Sequence, residues 1–379
     1  MVFPKIYRKR IIVYLLTVTL LFSAVLCGCD KAEKEEKLVT GLVSGDYEYT
    51  RSDTYDNIRI TKFSGSAEAL EIPKTIEDMP VVAIEKSAFA DNTSLKKVVL
   101  PDTVERIGDS AFRKCTALTS VKLGGSVKIV GGYAFSGCEA LTAISLPDSV
   151  TEIGNNAFSC CTGLKNVIIG PAVKTIGYDA FYGTNWLSSL TEEFVIVGDG
   201  VLVDYNGESN DVVIPKTVKS IASAFVDNGS IQSVTLPDGM TRVDDNAFQG
   251  CMNLSKVKLP DSVTEIGAYA FARCTLISEI HFPDGLKEIG TQAFSSCIML
   301  KNVTIPAGVT TIREKTFLGC STLARVNFDK SLKTIEKDAF SGCDAMNVVS
   351  FDGTKEAWGQ VTIEEGNEKL SKALLNCAG

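Results

Sequence analysis

A phrase of 23 residues recurs along this 379-residue chain and restricts it to architectures built of stacked turns. Its most regular member is phenylalanine, at Phe89, Phe112, Phe135, Phe158 and Phe181, then at Phe225, Phe248, Phe271, Phe294, Phe317 and Phe340. Every step within the two runs is 23 residues; only the interval from Phe181 to Phe225 departs, at 44. A period in this range marks a solenoid, in which each coil buries its apolar side against the next, and not a globule around one central core. Eleven coils follow from the phenylalanines. At ~4.8 Å per stacked strand they extend on the order of 50 Å.

Each coil contains two short apolar edges. In Leu254-Ser-Lys256-Val257-Lys258-Leu259 the alternation has period two, so Val257 and Leu259 face inward while the lysines face solvent. Pro260 has no amide hydrogen and ends this strand in a turn. Val263-x-x-Ile266 is the second buried edge, and Ala270-Phe271 fills the interior. The outward positions of the first edge, coil by coil, include Lys97, Lys122, Lys256, Lys258, Glu279, His281, Asn302, Arg325 and Asn327. That strip holds five cations and one acid, although the whole chain carries a net charge of −8. Such a strip can steer an anionic ligand; equally, Lys and Arg keep an exposed sheet soluble.

Of the twelve cysteines, eight occupy one repeat position, three residues after the phenylalanine: Cys115, Cys138, Cys161, Cys251, Cys274, Cys297, Cys320 and Cys343. Other coils carry Asn92, Thr184 and Asn228 there, which cannot form disulfides but can hydrogen-bond to a turning backbone. A buried ladder of thiols satisfying backbone groups is the reading these substitutions favour. Scattered disulfides are the alternative in an exported chain, and a metal site would need more closely spaced pairs. Cys160 and Cys377 lie off the ladder and are the reactive candidates.

The chain opens with Lys5, Arg8, Lys9 and Arg10, followed by an apolar stretch from Ile11 to Val25 that is too short for a comfortable membrane span. It closes with Leu26-Cys27-Gly28-Cys29, which resembles a bacterial lipobox. That resemblance implies a lipoprotein signal over residues 1–28, lipidation of Cys29, and removal of four cations, leaving a net charge near −12. A conventional secretory signal is the alternative. Residues 29–45 then form a charged linker. Residues 46–184 are an N-terminal cap and first repeat array. Residues 185–215 are a hairpin insertion at which the array restarts: Phe194 to Val197, Gly198-Asp199-Gly200, then Val201 to Val203. Residues 216–351 are the second array, and 352–379 a C-terminal cap in which Trp358 covers the last coil. One continuous bent stack is expected, with two separately folding arrays as the alternative.

The phrase Leu-x-x-Val-x-Leu-Pro-x-x-Val-x-x-Ile-Gly-x-x-Ala-Phe-x-x-Cys, clean in Leu141 to Cys161 and in Leu254 to Cys274, resembles the BspA-like class of leucine-rich repeats. Ile72-Pro73, Ile214-Pro215 and Gly353-Thr354-x-x-x-Trp358 share the resemblance, which covers essentially the whole mature chain. Ala precedes ten of the eleven phenylalanines, Thr316 being the exception; Gly124-Gly125 and Asp329 stand where Pro is usual. The resemblance implies a right-handed, β-rich leucine-rich-repeat solenoid with a parallel sheet on one face. It also implies an extracytoplasmic, surface-exposed bacterial protein that adheres to host matrix proteins, other cells or glycans.

Chemistry finds little support. His281 is the one histidine, and a solvated place on the strand face accounts for it. No phosphate loop, HExxH or EF-hand spacing occurs, and Asp residues such as Asp148 and Asp261 sit in turns that Asp favours. No catalytic residue, metal or cofactor is expected. The acidic balance argues against nucleic acid as a partner. The expected function is a monomeric, non-catalytic surface lipoprotein that binds an extracellular protein or glycan, an anionic one by the strip, and meets the membrane only through its lipid. The alternatives are a structural envelope component and an accessory carbohydrate-binding module.

Overall fold

The computed structural model of the protein describes residues 36–378. The signal, the lipidation position Cys29 and the first part of the linker lie outside those residues. Residues 36–378 form one compact unit.

The unit is a stack of turns whose strands pair in parallel, each with the corresponding strand of the next coil. Lys97↔Ser120, Ser233↔Lys256 and Asn302↔Arg325 show this one-coil register. The sequence reading placed a sheet on one face; there are two strand rows. The first row has strands of three or four residues, such as Lys256–Lys258 and Arg325–Phe328. The second has strands of mostly two residues, such as Ile129–Val130 and Glu265–Ile266. Two residues are too few to display an alternation, so the sequence shows only the buried edge.

The stack has about 14 turns against the eleven read from phenylalanine. The N-terminal cap, the restart and the tail each add a turn without the full phrase. In the tail, Thr362–Ile363 pairs with Thr334–Ile335, and Leu374–Cys377 with Val348–Phe351. The linker also ends earlier than expected. Leu38–Ser44 is a strand, antiparallel to Tyr47–Ser52; five of its seven residues are exposed, so no apolar stripe announces it.

The phenylalanines form the core as interior plugs. From Phe89 to Phe181 successive rings lie 4.9–5.3 Å apart and within 13° of parallel. From Phe225 to Phe340 the separations are 5.3–5.7 Å. Each Ala-Phe turn is bracketed by left-handed backbone: the residue two before Phe has positive φ in ten of the eleven coils, from Ser87 to Asp338, with Ser223 the exception. That region is unfavourable for residues other than Gly. It is offset because it aims alternate amides along the stack: Ser110, Phe112 and Lys114 donate to the Gly132, Ala134 and Ser136 carbonyls of the next coil at 2.7 Å. At the C-terminal end Asn367 takes over, its Oδ1 accepting the Phe340 N–H at 3.0 Å.

The eight ladder cysteines are buried, and none of the ten described cysteines is in a disulfide. Each ladder thiol donates to the phenylalanine carbonyl of the preceding coil, as in Cys138 to Phe112 at 3.2 Å and Cys251 to Phe225 at 2.9 Å. The residues that replace Cys act differently. Asn92 and Asn228, on the first coil of each array, accept amides of their own turn, from Leu95 and Ile231. Thr184, on the last coil of the first array, donates to Phe181 O at 2.8 Å.

At the 44-residue interval Phe194–Val197 and Val201–Tyr205 form the expected antiparallel hairpin. The second strand row stays connected here: Asp199 N–H bonds to Val173 O at 2.7 Å, and Ser220–Ile221 pairs with the hairpin strand. The phenylalanine turns do not. Trp186 meets Phe181 edge-on at 4.8 Å, and a new aromatic series begins with Phe194, Tyr205 and Phe225.

Candidate functional site

The first strand row presents every residue of the sequence-predicted strip outward. Lys97, Lys122, Lys256, Lys258, Glu279, His281, Asn302 and Arg325 are exposed, and Asn327 is half-buried. The structure gathers them into separate groups. Lys97 and Lys122 share the sheet of the first array. Lys256 and Lys258 lie on one strand at the edge of another sheet. Asn302, Arg325 and Asn327 belong to a third, in which Asn327 Nδ2 donates to Thr304 Oγ1 at 3.0 Å. Between the last two groups, the coil of Glu279 and His281 has no strand in this row, only an isolated bridge from Glu279 to Asn302. Inward, Val257 and Leu259 are half-buried, not sealed.

Among the described lysines only Lys62, Lys96, Lys128, Lys219, Lys315, Lys337 and Lys369 form ion pairs, so an unpaired lysine is common on this surface. None of the strip's five cations is in an ion pair with a described residue. Elsewhere, arginines are neutralised: Arg51, Arg59, Arg106, Arg113, Arg242, Arg273 and Arg313 all pair with carboxylates. Among the described arginines Arg325 alone does not. The second strand row shows the contrast. There a shallow cavity of ≈ 300 Å³ is lined by Arg242, Glu265, Glu288, Arg313 and Glu336. Arg313 bridges Glu288 at 3.2 Å and Glu336 at 3.3 Å, and Arg242 is surrounded by Asp244, Asp245 and Glu265.

Sequence reasoning missed an apolar ridge. Met252, Leu276, Ile298 and Met299 are 39–49% exposed. They occupy the turns just after Cys251, Cys274 and Cys297 in three consecutive coils. The same turns elsewhere carry small or polar residues, such as Thr116, Ala117, Glu139 and Thr322. Lining up the two positions after each cysteine would have revealed it. Exposed apolar clusters of this kind accompany interaction surfaces.

Burial pushes the thiols of Cys251 and Cys343 up to about 12, which suppresses them as nucleophiles. Among the described residues no cluster of His, Cys, Asp or Glu is placed to hold a metal ion, and no helix is long and apolar enough to cross a membrane.

The profile of the BspA type leucine rich repeat region matches residues 82–196, 204–324 and 241–365. The chain belongs to the BspA-type leucine-rich-repeat family. No curated protein matches it. It is similar to solved structures of several bacterial proteins. A leucine-rich cell surface protein from Faecalibacterium prausnitzii A2-165 is 25% identical, over 88% of this chain and 100% of that one, with a TM-score of 0.43. The T. pallidum leucine-rich repeat protein is 28% identical, over 61% and 87%, with a TM-score of 0.38. The pneumococcal vaccine antigen PcpA is 19% identical, over 91% and 96%, with a TM-score of 0.45. BspA-type repeats typically occur at the cell surface and serve as non-catalytic scaffolds for binding.

Proposed function

We propose that this BspA-type solenoid is a surface-displayed lipoprotein, anchored through Cys29, that captures an anionic extracellular protein or acidic glycan on its first strand row. It does so without catalysis, as an adhesin. The observation that supports the reading is the column of exposed cations, Lys97, Lys122, Lys256, Lys258 and Arg325, along one strand row of an acidic chain, Arg325 being the one described arginine outside an ion pair. A charge left unpaired on an exposed face costs little and remains available to a partner, whose approach it accelerates. Met252, at the entrance to the Lys256–Lys258 strand, and Leu276, Ile298 and Met299 on the next two coils add apolar area near the charges, the mixture that interfaces use.

The test is capture of sulfated or sialylated glycans and acidic matrix proteins by the full chain and by a Lys256→Glu, Lys258→Glu double variant. The wild type is expected to capture an anionic partner in a manner weakened by salt, and the double variant to lose it at unchanged thermal midpoint. Equal capture by both proteins, or salt-independent capture, would remove the strip from the explanation. Finding no ligand, with envelope integrity lost on deletion, would favour the structural role.

A further inference from the structure

The junction of the two arrays opens a second site. The stack is held together there along its second strand row, while the phenylalanine turns part as a wedge. The wedge encloses a cavity of ≈ 500 Å³, within the range of pockets that take small molecules. One wall is the last turn of the first array, Tyr178 to Tyr182 with Leu187; the other is Val203, Asp204 and the opening turn of the second array, Ala222 to Asp227.

The wall chemistry follows from the interrupted turn ladder. In nine of the eleven coils the phenylalanine N–H is received by the next coil or by the Asn367 cap; those of Phe181 and Phe225, which flank the wedge, find no acceptor among the described residues. The neighbouring Asp179 N–H is caught by a side chain instead, Ser223 Oγ at 2.6 Å. Ser223 is also the position at which the left-handed turn pattern fails. The Phe181 side therefore offers a hydrogen-bond donor. The cavity also offers acceptors in Asp179, Asp204 and Asp227. Asp227 is held by Arg273 at 3.1 Å and Asp204 Oδ1 by the Tyr205 N–H at 3.0 Å, which fixes them in place. Burial, and secondarily Asp227, hold the Asp179 carboxyl above its ordinary range. Tyr178 and Tyr182 supply aromatic faces, and Tyr182 is 61% exposed.

We propose that this wedge binds one unit of a neutral saccharide. Three carboxylates repel acidic sugars and phosphates. An ammonium or guanidinium carries donors only and leaves the Phe181 N–H unmet. A sugar hydroxyl both donates and accepts, so it answers the carboxylates and the amide together, while the apolar face of the ring packs on a tyrosine. The site is independent of the cationic strip and has the opposite charge preference.

The experiment is calorimetric titration of the full chain with uncharged hexose and N-acetylhexosamine oligomers. The proteins compared are the wild type, Tyr182→Ala, Asp204→Asn, and the Lys256→Glu, Lys258→Glu double variant. The wild type is expected to bind at least one neutral oligomer. Tyr182→Ala removes an exposed ring, and Asp204→Asn keeps the side-chain size; each should weaken binding at least tenfold at unchanged thermal midpoint. The double lysine variant should bind as the wild type does, which separates this site from the strip. Absence of neutral-sugar binding, wild-type affinity in both pocket variants, or binding of lysine and arginine amides without any sugar would overturn the proposal.

Discussion

Replacing Phe135 by Ala should be among the most costly single substitutions in this molecule. The ring is fully buried and lies between Phe112 at 5.2 Å and Phe158 at 5.3 Å, tilted by only 2° and 6°. Truncating a buried Phe costs about 3–5 kcal/mol through lost transfer energy and the cavity left behind. Two ring contacts, each worth about 0.5–1.5 kcal/mol beyond area, put this site at the upper end, ~4–5 kcal/mol. Phe340 keeps one near-parallel neighbour, Phe317 at 5.3 Å, and meets Phe328 edge-on at 6.0 Å. Phe340 thus also has two ring contacts, and Phe340→Ala should cost about as much as Phe135→Ala. Urea unfolding measures both as shifts in midpoint at constant slope. Hydrogen exchange should show protection falling first in the coils around Phe112 to Phe158, because coils are coupled to nearest neighbours. A loss below ~2 kcal/mol for Phe135→Ala, or exchange rising evenly along the stack, would refute the picture of coupled interior plugs.

Asn367→Ala should destabilise the last turn by about 1–3 kcal/mol, since its side chain receives Phe340 N–H and donates to Glu336 O and Glu364 O, each at 2.9 Å; limited proteolysis of the C-terminal segment reads this out, and unchanged resistance would contradict it. Gly154→Ala places a Cβ 2.5 Å from the Gly132 nitrogen, a backbone atom that cannot rotate away, and should cost about 1–3 kcal/mol, whereas Gly229→Ala meets nothing within 4 Å and should stay within about 0.5 kcal/mol; equal midpoints in urea would refute the contrast. The buried thiols also set an alkaline limit. Cys251 and Cys343 titrate near 12 when folded against 9.0 for an ordinary thiol, so the unfolded chain releases its protons first. Stability fully present below pH 9 should fall as pH rises toward 12, by about 1.4 kcal/mol per unit for each thiol. A flat urea midpoint between pH 8 and 10.5 would contradict this. In the native protein at pH 8 an alkylating reagent should reach Cys160 and Cys377, the exposed and half-buried thiols, before any ladder cysteine; mass mapping of labelled peptides decides.

The architecture was legible because the phrase is repeated nearly verbatim, so one strand assignment at Lys256–Lys258 serves every coil. The position of the thiols was legible too, but not their partner. Cys138 reaches Phe112 O, 26 residues away, and a contact across a coil boundary leaves no local mark. Asn92 and Asn228 looked equivalent to cysteine, yet they act inside their own turns. The strip was legible as a column of outward residues; its unpaired state was not, since pairing depends on which carboxylates the neighbouring coils bring near. The wedge was invisible in the sequence. The 44-residue interval showed a hairpin at Phe194–Tyr205, but nothing local to Phe181 or Ser223 says that one side of the stack stays bonded while the other opens.

The turn ladder has a bearing on how such chains change length. A coil such as Ser110 to Lys114 hands three amides upward to three carbonyls and receives the same set from below. Duplicating or deleting one whole coil leaves every interface chemically as it was, while a gain or loss of any other size would misalign donors with acceptors. Within each array the stack can thus be lengthened or shortened only in whole-period steps, a ruler whose graduations are set by amide spacing, with Asn367 as the end-stop.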